Sequence, residues 1–188
     1  MAIQITQKIT TEAFYDFIEQ AENQNRHFER ISGRIIEKMV SGGMAPIITA
    51  IIIRHLVEAI VETGLGIVTS PEGGYIVAGQ HYMPDVAVML YSSQSIEERE
   101  YERGYNTQAP DLAVEVMSST DRHKNLATKV VSYNADGTIV WVVEPVDKTI
   151  TVYAPGKLPQ YLTEDDMLTG GDLILNFKLP IKKLFEKR

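Results

Sequence analysis

Asp85, Glu115 and Lys129 are three charged residues set inside segments whose other residues call for burial. Pro84-Asp85-Val86-Ala87-Val88-Met89-Leu90 and Asp111-Leu112-Ala113-Val114-Glu115-Val116-Met117 both read as core strands. Each carries one acid where packing alone favours an apolar residue. Leu126, Val130 and Tyr133 recur at i, i+4 and i+7 and mark the inward stripe of a helix, with Lys129 near its middle. A lone charge in apolar surroundings is costly, so such groups are normally paired or coordinate a metal. Two acids and an amine drawn into one fold predict a metal-dependent hydrolytic site. The competing reading is structural: an ion pair between Glu115 and Lys129, with Asp85 ending a turn after Pro84.

Strand alternation sharpens the expectation. Asp85 shares a sheet face with Ala87 and Met89, and Glu115 with Ala113 and Met117. An alanine beside each acid leaves room. The opposite faces, Val86-Val88-Leu90 and Leu112-Val114-Val116, are large and apolar and are expected to pack on a central helix. If the two strands pair, both carboxylates point into one cavity walled by the Lys129 helix.

The elements that must position these residues are legible in outline. Thr10-Thr11-Glu12 predicts a helix start, followed by an apolar face of Phe14, Phe17, Ile18 and Ala21. Phe28 to Ile31 and Arg34 to Val40 flank Ser32-Gly33 and predict a hairpin. Pro46 suits the first turn of an isoleucine-rich helix that runs to about Thr63 and stops at Gly64. Strands follow at Gly66 to Thr69, Tyr75 to Val77 and around Asp85, and Ser92 to Gln108 reads as an exposed loop with a short helix. After the Glu115 strand and the Lys129 helix come a hairpin, Ile139 to Val143 with Thr149 to Tyr153, and a tail that includes Ile174 to Leu179. The order predicts an α/β (α+β) fold, a mixed central β-sheet flanked by helices.

With 188 residues, 44% of them hydrophobic and 23% charged, the chain fits one domain spanning residues 1–188. The absence of cysteine excludes disulfides and thiolate zinc sites. The four histidines, His27, His55, His81 and His123, share no ligand-type spacing. The N-terminal residues lack the apolar run of a signal peptide, and the run from Ala45 to Ile53 is far shorter than the roughly 18 to 20 residues of a membrane span. A soluble, cytoplasmic protein with no membrane partner is expected. A net charge of −7 counts against a protein that holds nucleic acid mainly by neutralising many phosphates, but leaves room for a local basic strip. Arg122, His123 and Lys124 are candidates for that strip, as are Lys178, Lys182, Lys183, Lys187 and Arg188 near the C-terminus.

Several segments taken together resemble a known family. They are Phe28-Glu29 with Ile31-Ser32-Gly33-Arg34-Ile35, Pro84-Asp85, Glu115-Val116-Met117-Ser118-Ser119-Thr120, Lys129 with Tyr133, and Trp141-Val142-Val143-Glu144-Pro145. In order and spacing these are similar to the bacterial restriction endonuclease-like family of the PD-(D/E)xK nuclease superfamily, over roughly residues 10 to 185. The resemblance implies a restriction endonuclease-like core and Mg²⁺-dependent (or Mn²⁺-dependent) cleavage of a DNA phosphodiester. By position it makes Asp85 the aspartate of the Pro-Asp motif, Glu115 the second acid, and Glu29 the acid from the N-terminal part of the core. Lys129 stands in for the motif lysine, because Met117 occupies the usual Glu-x-Lys position. The chain also departs from the pattern at Ser119, where relatives tend to have proline, and at Met44-Ala45-Pro46, where they often place a histidine.

The implied chemistry is coherent. Mg²⁺ prefers oxygen ligands and keeps several waters, so Asp85 and Glu115 with a substrate phosphate are a sufficient set. Such an ion stabilises charge on the phosphate and activates water. Lys129 would orient that water, Glu29 would serve a second ion or its water, and Arg122, His123 and Lys124 would touch phosphate oxygens. A homodimer would suit cutting of two strands. The alternative is a catalytically silent nuclease-like fold acting as a binding or assembly module.

Overall fold

The backbone of Thr10 is extended and its Oγ1 accepts a hydrogen bond from the Ala13 N–H at 3.2 Å, so the first helix starts where the Thr-Thr-Glu run predicts. The structure is a computed structural model that describes every residue except 1–3, 6, 40–41, 94–100, 119–122 and 187–188. In chain order its first elements are β1 (Gln4–Ile5), α1 (Thr11–Ile18), β2 (Phe28–Ile31), β3 (Arg34–Glu37), α2 (Ala45–Leu56), β4 (Gly66–Thr69), β5 (Gly74–Val77), β6 (Gln80–Tyr82) and β7 (Val86–Leu90). There follow β8 (Tyr101–Glu102), β9 (Tyr105–Asn106), β10 (Leu112–Val116), α3 (His123–Ala135), β11 (Ile139–Glu144), β12 (Thr149–Tyr153), β13 (Gln160–Leu162), β14 (Met167–Gly170), β15 (Ile174–Pro180) and α4 (Lys182–Phe185). The mixed α+β architecture agrees with the sequence expectation. Among the described residues no helix is long and apolar enough to cross a membrane.

Two sheets carry the fold. One has the strand order β1-β3-β2-β6-β5-β9-β8 and the other β13-β12-β11-β10-β7-β4, with β14 and β15 as a separate pair. The second sheet is mixed: β10 runs parallel to β11 and antiparallel to β7. One face of it, with Val86, Val88, Leu112, Val114, Val116 and Trp141, packs on Ile48, Ile52 and Leu56 of α2, as the strand alternation predicts. The other face, with Ala87, Met89, Ala113, Val140 and Val142, meets Val130 and Tyr133 of α3 and Tyr75, Val77 and Tyr82 of the first sheet. The candidate residues lie on this second face, between the two sheets.

Local chemistry sets the boundaries. Ser32 and Gly33 both have positive φ, 52° and 77°, the geometry of a two-residue hairpin turn between β2 and β3. After Leu56 the α2 chain widens into a π-helical turn over Val57–Val61, where the Glu62 N–H reaches back five residues to the Val57 carbonyl. The first helix ends at Ile18, so Ala21, expected on its apolar face, lies exposed in the following turn. The end of the segment read as an exposed loop is a strand pair, β8 with β9. Tyr105 is buried there because its hydroxyl donates to the Phe28 carbonyl at 2.7 Å, a tertiary contact without a local signal.

Gly66 opens β4 opposite Leu90. A Cβ at this position would clash with the Met89 carbonyl oxygen and lie 2.9 Å from Leu90 Cα, both backbone atoms of the paired strand. Gly66→Ala is therefore expected to cost roughly 1–3 kcal/mol, read as a lower urea midpoint at unchanged m-value. An unaltered midpoint would contradict the close approach of these strands.

Candidate active site

The register of β7 against β10 decides whether the two acids meet. Ala87 pairs with Ala113 and Val86 with Val114, so continuing the ladder by one residue sets Asp85 across from Glu115. The backbone carries the pairing that far: the Asp85 N–H donates to the Val114 carbonyl at 2.9 Å. The Val116 N–H donates to Asp85 Oδ2 at 2.7 Å. Both alanines beside the acids are fully buried.

Lys129 projects from α3 into the space between sheets. Its Nζ lies 2.8 Å from Glu29 Oε1 and 3.1 Å from each oxygen of Glu115. The side chains of all three are 10% exposed or less, so this is a buried ion cluster and not a lysine reaching out to water. The Tyr133 hydroxyl donates to Glu115 Oε1 at 3.4 Å, and the Tyr82 ring lies 5.8 Å from the ammonium. Glu29, on β2, also accepts from the Met83 N–H at 2.8 Å. This hairpin acid is therefore buried and paired.

Asp85 has a different cation. Lys38, just past β3, places its Nζ 2.8 Å from Asp85 Oδ1 and 2.5 Å from the Met83 carbonyl. The Met83-Pro84-Asp85 link between the sheets is thus held by Glu29, Lys38, Val114 and Val116. The site has two lobes, Lys129 between Glu29 and Glu115, and Lys38 on Asp85. Among the described residues no group of three His, Cys, Asp or Glu is arranged to hold a metal ion. The donor atoms available are carboxylate oxygens and the Met83 carbonyl, which match the hard-oxygen preference of Mg²⁺.

Burial pushes the Glu115 carboxyl up to about 7, partly countered by Lys129 and reinforced by the charges of Glu29 and Asp85. Burial also works against the Lys129 ammonium, but Glu115 and Glu29 outweigh it and hold its pKa above the ordinary lysine value. Tyr133 is raised well above a normal tyrosine by burial and by the same two acids, so it acts as a hydrogen-bond donor. A raised acid pKa makes the folded state bind its proton more tightly than the unfolded chain. The Glu115 contribution to stability is therefore full below about pH 4.5 and is lost as pH rises to about 7. Glu115→Gln mimics the protonated acid, so its stability relative to wild type should increase from pH 5 to pH 8, by on the order of 2 kcal/mol. Urea melts at the two pH values measure this, and a difference independent of pH would contradict it.

Of the residues expected at phosphate oxygens, Arg122 lies outside the described residues. His123 and Lys124 form the first turn of α3, and their side chains also lie outside the described set. Lys38 was not anticipated. Its one signal was a charge count: Glu29, Asp85 and Glu115 against Lys129 leave the interior short of cations.

The model of the Uma2 family, described as "Putative restriction endonuclease", matches residues 12–182, most of the chain. This chain belongs to the Uma2 family. No curated protein matches it. Among solved structures, the Uma2-family chain is similar to a protein titled a putative nuclease belonging to DUF820 from Anabaena variabilis ATCC 29413. The TM-score is 0.74 at 21% identity, covering 84% of this chain and 89% of that one. At that identity the likeness establishes a shared fold.

Proposed function

We propose that this Uma2-family chain is a Mg²⁺-dependent DNA endonuclease that hydrolyses phosphodiester bonds at the Asp85, Glu115, Glu29 and Lys129 site. The observation that carries the reading is the meeting of Asp85 and Glu115 on one face between the sheets, with a buried lysine from the next helix beside Glu115. Family membership and a nuclease-like fold support it. Asp85 through Oδ1 and Glu115 through its carboxylate would hold the ion, with Glu29 available to a second ion or its water. The ion would stabilise charge developing on the phosphate and make water a better nucleophile. Lys129 would donate to that water or to a phosphate oxygen, and its raised pKa keeps it a donor throughout the neutral range. Glu29 and Tyr133 keep the amine and Glu115 in place, so orientation is settled before substrate arrives.

A second reading, a nuclease fold that binds or assembles without cutting, is favoured by the ammonium groups already engaging all three acids. Nicking of supercoiled plasmid with Mg²⁺ or Mn²⁺, together with calorimetric titration of the ion into wild type and Asp85→Ala, separates the two. Endonuclease function requires metal-dependent nicking and binding heat in wild type, both lost in Asp85→Ala. Absence of both in wild type leaves the non-cutting module.

A further inference from the structure

The two oxygens of Asp85 are held differently, one by backbone and one by a mobile side chain. Asp85 Oδ2 accepts from the Val116 N–H at 2.7 Å, within the backbone pairing of β7 and β10. The other oxygen, Oδ1, is where Lys38 sits, at 2.8 Å, with the same ammonium on the Met83 carbonyl at 2.5 Å. We propose that Lys38 is a built-in counter-cation that takes the place of a divalent ion on Asp85 and sets the affinity of the site for that ion.

The two lysines of the site are built differently. The Lys129 side chain is 10% exposed and is held by Glu29 and Glu115, so it stays. The Lys38 side chain is 24% exposed beside an Asp85 that is 19% exposed. Its flexible stem can carry the ammonium into water, where it is strongly hydrated. Only the side chain need move, because the Lys38 N–H is fixed to the His27 carbonyl at 2.8 Å. The charge balance fits the exchange. Three carboxylates against two ammonium groups leave the ionised cluster at a formal minus one, and release of Lys38 leaves minus two, matched to a divalent cation. Until an ion arrives, Lys38 spares the link between the sheets an unpaired carboxylate.

This inference rests on the metal reading above, and a binding measurement separates the two. MnCl₂ is titrated calorimetrically at pH 8 into wild type, Lys38→Met and Lys38→Arg, with Mn²⁺ electron paramagnetic resonance as a second count of bound ion. Lys38→Met should bind Mn²⁺ about tenfold tighter than wild type or better, and Lys38→Arg, which keeps the charge, should not gain. Circular dichroism checks folding. If Lys38→Met fails to fold, Lys38→Gln, which keeps a donor for the Met83 carbonyl without the charge, should show the same gain. Wild-type binding with equal or weaker affinity in the folded uncharged variants overturns the role of Lys38 alone. No Mn²⁺ binding by any of the proteins overturns the metal site and the Lys38 inference together.

Discussion

Asp85→Asn is expected to lower metal-dependent plasmid cleavage by roughly a thousandfold, the scale of removing a preorganised group that stabilises transition-state charge. The substitution keeps the shape of the side chain. The asparagine carbonyl can still accept from the Val116 N–H, which aims its amide at the Lys38 ammonium in place of a carboxylate oxygen. Charge and ion-binding capacity are lost while the β7 to β10 pairing stays. The aspartate is partly exposed, so the cost in stability should stay near 1–2 kcal/mol. Cleavage kinetics over a Mn²⁺ series and urea melts on the same preparations give both numbers. Retention of more than about a tenth of wild-type cleavage in a folded Asp85→Asn would remove Asp85 from the chemistry. Unfolding would instead make it a structural link between the sheets.

Lys129→Met is expected to be the most destabilising of these changes, by about 3–5 kcal/mol, because it strands Glu29 and Glu115 in the interior without their shared cation. The hydrocarbon replaces most of the lost volume, so the effect reports charge and not a cavity. Pairing it with Glu115→Gln should recover a large part of the loss, since one of the repelling acids is then neutral. A double-mutant cycle in urea measures the coupling, and additive losses would argue against a shared ion cluster. Where the folded protein persists, Lys129→Ala should reduce turnover more than Mn²⁺ affinity. Equal loss of both would mean the amine only holds the acids in place.

Much of the site was legible because a buried charge is conspicuous. Asp85 and Glu115 break apolar strand patterns, and Lys129 breaks the stripe of Leu126, Val130 and Tyr133. Period-two alternation assigned Ala87 and Ala113 to the acids' face and the valines to the α2 face, and the two cores follow that division. The helix start at Thr10, the Ser32-Gly33 turn and the stop at Gly64 were readable for the same reason: capping and positive φ are local demands on single residues.

Which cation meets which acid was decided only by the tertiary structure. Lys38 follows a hairpin strand, and Glu37-Lys38-Met39 reads the same whether the lysine lies in water or reaches an acid 47 residues away. The split into two sheets, the burial of Tyr105 under the Phe28 carbonyl and the sharing of Lys129 between Glu29 and Glu115 likewise depend on strand order. Side-chain type and spacing express the energetic need of a charge for a partner, so they named Asp85, Glu115 and one amine, while Glu29 came only from the family resemblance. The partner itself is chosen by non-local pairing, because only the assembled sheets bring Met83, Asp85 and Lys38 within hydrogen-bond reach.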